Sequence, residues 1–328
     1  MWYSSDSLEK TDMKWQQVQT QQRDVGDVAQ AGVGMRRVET LLATYGLLDG
    51  ELPPTLIASL WHGGFSANRN PFAMCYYVRY PSLRVAEEER VVACRYLQQF
   101  GRTREEQARN YYLWAQTVPR PLWRYFTHLS LTEHTEIVAD MVPPLAIANL
   151  LRYLDLYYYF RDAVVLDLFS GVCGWLMAFM FLPSHYLPRR WIAVDIDSRR
   201  LQICRLVSRD VGVDVEVVRR DLSKPYARSG VDVVVGSPPC HEFSAATVSR
   251  RQRVEDGLRL VRSYLESVQM INPRLALMEE ATSTSESPRL LVQLLTQYGF
   301  SYRMLDLRKF GAIQLRRRRL IAWRCNER

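Results

Sequence analysis

From about Val164 to the end of the chain, short runs of β-branched residues alternate with stretches of helical periodicity. The runs are VVLDLF, WIAVDI, DVEVV, VDVVVGS, RLALME, SYRMLDL and RRLIAW. Between 254 and 271 the apolar positions recur at spacings of three and four, which indicates one face of a helix. Strands that alternate with helices predict an α/β fold, in which a parallel sheet is covered by helices on both faces.

The residues before this alternation predict an N-terminal region that is mainly helical and irregular. Helical patterns cover 84–100, 103–117 and 143–154. The segment 61–72 has the Gly, Asn and Pro content of a loop.

Composition excludes several classes of protein. The chain has 328 residues, of which 48% are hydrophobic and 24% charged, so disordered, collagen-like and repeat architectures are excluded. No stretch approaches the roughly 20 apolar residues of a membrane-spanning helix. The N-terminus also lacks the basic-then-apolar pattern of a secretion signal. We therefore expect a cytoplasmic protein without a membrane partner.

The cysteines are scattered and form no C-x-x-C pair, which argues against a zinc ribbon or a redox pair and predicts no metal site. They are Cys75, Cys94, Cys173, Cys204, Cys240 and Cys325. In a chain of this size we expect reduced thiols, with Cys94 and Cys204 acting as small buried hydrophobes on helical patterns. The net charge of +8 comes almost wholly from arginine and weakly favours a polyanionic partner.

The segment VVLDLFSGVCGW predicts a buried strand that ends in Asp167 and turns through Ser170, Gly171 and Gly174 into a helix. Glycines let the backbone approach a ligand, and the N–H groups of a helix N-terminus attract an anionic group. A cofactor loop and an ordinary strand-to-helix turn both fit this pattern.

Acidic residues follow the next two strands. WIAVDID ends in Asp195 and Asp197, and an acid at such a strand tip can hold the two hydroxyls of a ribose. Asp197 has a simpler interpretation as the N-cap of a helix that starts at Ser198. Asp221 follows the third strand and could accept a hydrogen bond from an adenine amino group.

The fourth strand leads into VVVGSPPCHEFSAAT, the most specific segment of the chain. A cysteine directly after Pro-Pro is held rigidly at the edge where open α/β sheets bind ligands. Cys240 is therefore a candidate nucleophile, although a free thiol needs a favourable field to ionise. A role as a small buried hydrophobe fits Cys240 poorly, because 236–239 builds a turn rather than a core.

Two further segments carry candidate residues. RLALMEEA brings Glu279 and Glu280 to the same edge, and we expect one of these adjacent acids to be structural. Before the last strand, Gln314, Arg316 and Arg318 alternate and should point the same way. A solvated basic run is the usual alternative for such a segment, but the alternation favours a functional face.

Together these segments resemble motifs of the cytosine-5 DNA methyltransferase family. DLFSGVCG, GSPPCHEFS, MEEA and QLRRR correspond to the family's D-L-F-x-G-x-G-G, G-x-P-P-C-x-x-F-S, E-N-V and Q-x-R-x-R segments, in the usual order. The resemblance implies a Rossmann-like sheet of an S-adenosylmethionine-dependent methyltransferase. The family closes with G-N-x-V-P-P, whereas here VADMVPPLAIANLL at 138–151 precedes the first strand. This order is the pattern of a circularly permuted member.

The resemblance implies a function and a site. The function is transfer of a methyl group from S-adenosylmethionine to carbon 5 of cytosine in duplex DNA, with the target base flipped out. Cys240 would be the nucleophile, Glu279 the acid at N3, and Arg316 or Arg318 the holder of the pyrimidine carbonyl or a flanking phosphate. The implied cofactor residues are Asp167, Phe169, Ser170, Gly171, Gly174, Asp195, Asp221, Leu222 and Pro238.

The order of the motifs also implies a domain organisation. Residues 1–128 would take the target-recognition role, and 129–328 would form the catalytic domain, with the permuted closing helix at 138–156 first. The chain departs from the family motifs at three places. It has Cys173 where the motif has a glycine, Glu280 where it has asparagine, and Ala139-Asp140 where it has Gly-Asn.

Two alternatives stay open: methylation of carbon 5 of cytosine in transfer RNA, and a degenerate relative that binds DNA or cofactor without turnover. Methylation of an amino group is disfavoured, because such enzymes carry an aromatic residue after Pro-Pro. The sequence leaves open the recognised DNA site, the oligomeric state, and whether a cognate restriction nuclease accompanies the enzyme.

Overall fold

The computed structural model describes Cys94 and residues 97–239, 250–281, 287–312 and 319–326. Its strands are β1 Val164–Leu168, β2 Arg190–Asp195, β3 Asp214–Arg219, β4 Val233–Gly236, β5 Leu275–Ala281, β6 Ser301–Leu305 and β7 Arg319–Cys325. They form one seven-stranded sheet in the order β3-β2-β1-β4-β5-β7-β6.

The α-helices of these ranges are α1 Arg104–Ala115, α2 Leu131–Asp140, α3 Pro144–Tyr153, α4 Gly174–Met177, α5 Ser198–Val211, α6 Arg250–Ile271 and α7 Ser287–Gln297. Short 3-10 helices lie at Gln98–Phe100, Arg120–Phe126, Tyr157–Phe160, Ala178–Phe181, Ser184–Tyr186 and Leu307–Phe310. None of the helices in the described ranges is both long and apolar enough to cross a bilayer.

The α/β fold with a Rossmann-like sheet is confirmed, with one correction to the predicted parallel pairing. The pairs β1–β2, β2–β3, β1–β4 and β4–β5 are parallel. β7 is antiparallel to both of its neighbours, β5 and β6. The sequence pattern of a strand does not carry its direction, so this reversal could not be predicted. As a consequence, the first residue of β7, Arg319, lies opposite Ala281 at the carboxyl end of β5.

Helices cover both faces of the sheet, as predicted. Successive residues of a strand point to opposite faces, and along β1 Val165 and Leu166 belong to two different buried clusters. The first cluster includes Leu201 of α5, and the second includes Val261 of α6. Because both faces are buried, the inner strands are almost continuously hydrophobic.

The described part of the N-terminal region packs onto this sheet. Buried residues of α1 and of Arg120–Phe126 belong to the same cluster as those of β1 and α5. The predicted boundary between 128 and 129 and the target-recognition role stay predictions. The expected loop at 61–72 lies outside the described residues, as does nearly all of the helix expected at 84–100.

His134 of α2 is fully buried in this region. Neither of its ring nitrogens has a hydrogen-bond partner among the described residues, and its ring lies 6.2 Å from that of Phe126. Burial first, and then the positive charge of Arg109, lower the pKa of His134 to about 4. Both effects favour the neutral imidazole in the folded protein.

This histidine predicts a loss of stability in mild acid. Its pKa is near 6.5 when unfolded, so the unfolded chain binds more protons between about pH 6.5 and 4. The stabilisation from His134 is therefore complete above about pH 6.5 and declines as the pH falls, by about 2 kcal/mol at pH 5. Urea unfolding of His134→Leu should show a correspondingly flatter pH dependence than the unaltered protein. The exposed His128, changed to Leu, is the control, and identical pH profiles for all three proteins would refute this account.

Candidate active site

A cavity of about 420 Å³ opens at the carboxyl ends of the parallel strands. Open α/β sheets bind ligands at this edge, and small-molecule sites have volumes of roughly 300–1,000 Å³. The lining side chains come from 137–142, 169–175, 195–200, 220–223, 237–239 and 279–280, together with Leu260 and Arg319.

The turn after β1 has an uncommon backbone. Phe169 and Cys173 adopt φ values of 59° and 63°, in the left-handed region that non-glycine residues rarely occupy. A Cβ on Gly174 would lie only 2.8 Å from the side chain and the carbonyl oxygen of Val142. A glycine is therefore required where this turn meets the segment that precedes α3. Backbone strain of this kind often marks a binding or catalytic site.

Asp195, at the end of β2, holds this turn in place. Its Oδ2 accepts a hydrogen bond from the backbone N–H of Gly171 at 2.9 Å, and its Oδ1 accepts one from the N–H of Asp197 at 2.9 Å. A carboxylate has about four acceptor sites, so both oxygens keep capacity for donors inside the cavity. Asp197 is the N-cap of α5 and accepts from the N–H of Arg199, which confirms the capping interpretation.

Asp221 and Leu222 lie on the wall that follows β3. Asp221 is exposed at the rim and accepts from the N–H of Ser223 at 2.8 Å. This backbone hydrogen bond lowers the pKa of Asp221, so its carboxylate is ionised. Leu222 is buried and gives the same wall an apolar surface.

All of the predicted cofactor residues line the cavity except Asp167. Asp167 is fully buried beneath it and accepts from the indole N–H of Trp191 at 3.2 Å. Burial, with a smaller contribution from the charge of Asp195, raises the pKa of Asp167 well above its usual range. The structure therefore places Asp167 in the interior of the sheet, bonded to β2, rather than in the cavity wall.

Glu279 and Glu280 are both buried, and both line the cavity. Both therefore border the cavity although adjacent residues of a strand point to opposite faces, and the expectation that one of them is structural stays a prediction. The guanidinium Nη1 of Arg319 lies 2.6 Å from Oε1 of Glu279, and Arg319 is itself buried. The two groups form an ion pair by distance, although their alignment at Oε1 is not that of a hydrogen bond.

Sequence reasoning missed Arg319. It selected the alternating Gln314, Arg316 and Arg318, and these residues lie outside the described ranges. Arg319 reaches Glu279 because β7 pairs antiparallel with β5, and only the strand order could have singled it out from the run of arginines. The predicted nucleophile Cys240 also lies outside the described residues, while the residue bonded to it, Pro239, is exposed and lines the cavity.

The cysteines differ from the expected reduced thiols. Cys173, in the turn after β1, forms a disulfide with Cys204 of α5, and both side chains are fully buried. Cys94 is half-buried and also disulfide-bonded. Partners 31 residues apart carry no local sequence signal. The Cys173–Cys204 bond ties the turn that lines the cavity to the helix after β2.

Comparison with known proteins gives one family. Residues 164–325 match the family model for C-5 cytosine-specific DNA methylase. No curated protein matches the chain.

Similar solved structures include S-adenosylmethionine-dependent methyltransferases from Aquifex aeolicus and Clostridium acetobutylicum. The Aquifex aeolicus protein is 15% identical over 58% of this chain and 96% of its own, with a TM-score of 0.38. The Clostridium acetobutylicum protein is 8% identical over 58% of this chain and 95% of its own, with a TM-score of 0.40. A tRNA (uracil-54, C5)-methyltransferase from Pyrococcus abyssi is 16% identical over 54% of this chain and 37% of its own, with a TM-score of 0.33. Likenesses this distant add nothing to the family match.

Breaking the buried ion pair should destabilise the protein strongly. Arg319→Met leaves the Glu279 carboxylate buried without its counter-charge, which costs about 3–5 kcal/mol in comparable pairs. The double variant Glu279→Gln/Arg319→Met should lose less, because no charge is stranded. Arg124→Met is the control: its partner Asp210 is 2.7 Å away, but Arg124 is 60% exposed, so solvent screening should make its loss of stability much smaller than that of Arg319→Met. Denaturant unfolding of the three variants tests this, and a double variant less stable than Arg319→Met would contradict it.

The disulfide predicts a specific chemical pattern. Peptide mapping of the unfolded, unreduced chain should find the Cys173 and Cys204 peptides linked, while Cys325, a free thiol, reacts with iodoacetamide. Cys204→Ala should lower the free energy of unfolding by about 3–4 kcal/mol, because the unfolded chain gains conformational entropy when the loop between the two cysteines is no longer closed. Alkylation of Cys173 or Cys204 without prior reduction would show that the bond is absent.

Proposed function

The chain belongs, through residues 164–325, to the C-5 cytosine-specific DNA methylase family, and on that premise we propose that it methylates carbon 5 of cytosine in duplex DNA. S-adenosylmethionine is the methyl donor. The observation that most supports the proposal is that Pro238, Pro239 and Glu279 line the same cavity as Asp195 and Asp221. The residues that precede Cys240 and the Glu279 carboxyl near the end of β5 therefore lie beside the walls suited to a nucleoside.

The walls of this cavity suit S-adenosylmethionine chemically. Its adenosine part offers a flat apolar ring, an amino group and two ribose hydroxyls. In our proposal Asp195 accepts from the ribose hydroxyls, Asp221 accepts from the adenine amino group, and Phe169, Leu222 and Pro238 supply the apolar contacts. When bound, the cofactor supplies an electrophilic methyl group.

The turn after β1 completes the proposed cofactor site. Ser170 lines the cavity, and its buried hydroxyl has no hydrogen-bond partner among the described residues. Gly171 and Gly174 line the cavity and, without side chains, let the backbone approach the cofactor closely. Asp167 is buried outside the cavity wall and makes no direct contact with the cofactor in the proposal.

The reaction requires a nucleophile because carbon 5 of cytosine is too electron-poor to attack a methyl group unaided. Glu279 takes a proton from water when the base binds and delivers it to N3 while the Cys240 thiolate forms a bond to carbon 6, so that carbon 5 becomes an enamine carbon. After carbon 5 takes the methyl group, it loses its proton to water and the N3 proton returns to Glu279. The carbon 5–carbon 6 double bond then reforms, and the bond from sulfur to carbon 6 breaks to release the thiolate.

In our proposal arginines orient the Glu279 carboxyl and the target cytosine. Arg319 is buried against Glu279 at 2.6 Å, which supports a role in holding that carboxyl in place. Arg316 or Arg318 holds the pyrimidine carbonyl or a flanking phosphate in our proposal. A base within a duplex cannot reach this cavity, so the target cytosine must be flipped out, at a cost of a few kcal/mol.

We also propose that the chain is circularly permuted. Asp140, Met141 and Val142 line the cavity, and Val142 contacts Gly174 closely enough to exclude a Cβ there. These contacts suit a closing segment at 138–156 that packs beside the cofactor. Permutation is tolerated where the original ends are close in space. Residues 1–128 then take the target-recognition role, and 129–328 form the catalytic domain.

Labelled S-adenosylmethionine tests the function directly. Incubated with duplex DNA, transfer RNA or no nucleic acid, the protein should label carbon 5 of cytosine in duplex DNA alone. Cys240→Ala should reduce labelling to background, whereas Cys325→Ala, which removes a thiol outside the cavity, should keep it. Binding should weaken steeply with salt, because arginine–phosphate contacts release counterions.

The other outcomes identify the alternatives. Label confined to transfer RNA would reject duplex DNA as the substrate. A protein that binds DNA or cofactor and labels nothing would reject catalysis. Activity retained in Cys240→Ala would reject the nucleophile.

A further inference from the structure

The segment between β4 and Cys240 has few ways to be held in place. Pro238 and Pro239 have no backbone N–H, and their side chains carry no polar atom. Ser237 is therefore the one residue between Gly236 and Cys240 whose side chain can form a hydrogen bond. The direction in which the rigid Pro-Pro unit leaves the sheet depends on Gly236 and Ser237.

Gly236 fixes where this segment begins. A Cβ at Gly236 would lie 2.7 Å from the ring of Tyr264 and 2.9 Å from the carbonyl oxygen of Leu168. Tyr264 is fully buried, and its hydroxyl donates to the carbonyl of Leu277 at 2.7 Å. The end of β4 thus packs tightly between β1 and α6, but this packing does not determine the direction of the chain after Gly236.

Trp175 contacts the segment at the next residue. Its indole N–H donates to Oγ of Ser237 at 3.0 Å. Trp175 is 2% exposed, lines the cavity, and directly follows Gly174, which packs on Val142. This single hydrogen bond joins the turn that lines the proposed cofactor site to the segment that leads to Cys240.

We propose that Trp175 is a positioning residue, which holds Cys240 in register with the methyl donor through its hydrogen bond to Ser237. The inference rests on the proposed function, since it assumes that Cys240 is the nucleophile. A misplacement of about 1 Å can slow a reaction on the order of 100-fold. A hydrogen bond between uncharged groups can therefore govern the rate while it leaves the affinity for the cofactor nearly unchanged.

Four variants separate this role from a general packing role. Trp175→Phe keeps a ring and removes the N–H, and Ser237→Ala removes the acceptor. Each should lower kcat about 10-fold, with the KM for S-adenosylmethionine changed less than about twofold, because the bond acts on the nucleophile. The double variant should lose the same 10-fold, since both changes remove one bond. Ser237→Thr keeps the hydroxyl, so its kcat should stay at the level of the unaltered protein.

Trp123→Phe is the matched control. The indole N–H of Trp123 donates to the carbonyl of Val118 at 2.8 Å, and Trp123 does not line the cavity. Loss of this bond should leave kcat within about twofold of the unaltered chain.

The contrary results are distinct from one another. A 100-fold loss of kcat in the double variant would show that the two changes act independently. A raised KM for S-adenosylmethionine with unchanged kcat in Trp175→Phe would show that Trp175 only lines the cofactor site. A Trp175→Phe variant as active as Trp123→Phe would also overturn the role. If the unaltered protein methylates neither DNA nor RNA, the proposed function itself fails and the positioning role fails with it, before any variant is compared.

Discussion

Parallel pairing of β1, β2, β4 and β5 is the constraint on which the site depends. It brings the carboxyl ends of strands that are far apart in sequence to one edge of the sheet. The turn after β1, the acid of β2, the Pro-Pro segment after β4 and the acids of β5 therefore share one cavity. Each element is held by packing on both faces of the sheet, so the functional groups rest on a rigid support, as precise chemistry requires.

Much of this arrangement could be predicted because it follows from local pattern. Valine-rich strands, the helix that starts after Asp197, and the acid at the tip of β2 are all encoded within a few residues. The reversal of β7 and the pairing of Arg319 with Glu279 could not be predicted, because both depend on which strands become neighbours. The burial of Asp167 beneath the turn likewise depends on side-chain direction rather than on position in the motif.

The departures from the family motifs acquire a physical meaning in the structure. Cys173 stands in a left-handed conformation where the motif has glycine, and its side chain is bonded to Cys204 of α5. Asp140, which stands where the proposed closing segment would have asparagine, pairs with Arg200 at 3.0 Å at the edge of the cavity. At these two positions the replacement residue contacts a second residue, Cys204 or Arg200, on α5 beside the cavity.

The central claim is that the sulfur of Cys240 bonds to carbon 6 of a flipped cytosine. Duplex DNA that carries 5-fluorocytosine tests it most directly. Fluorine replaces the hydrogen that carbon 5 must lose as a proton, so the cysteine cannot be released and the covalent complex persists. With S-adenosylmethionine present, peptide mapping should find the modified base attached to Cys240. Methyl transfer to ordinary DNA with no trapped complex, or a complex at another residue, would contradict the account.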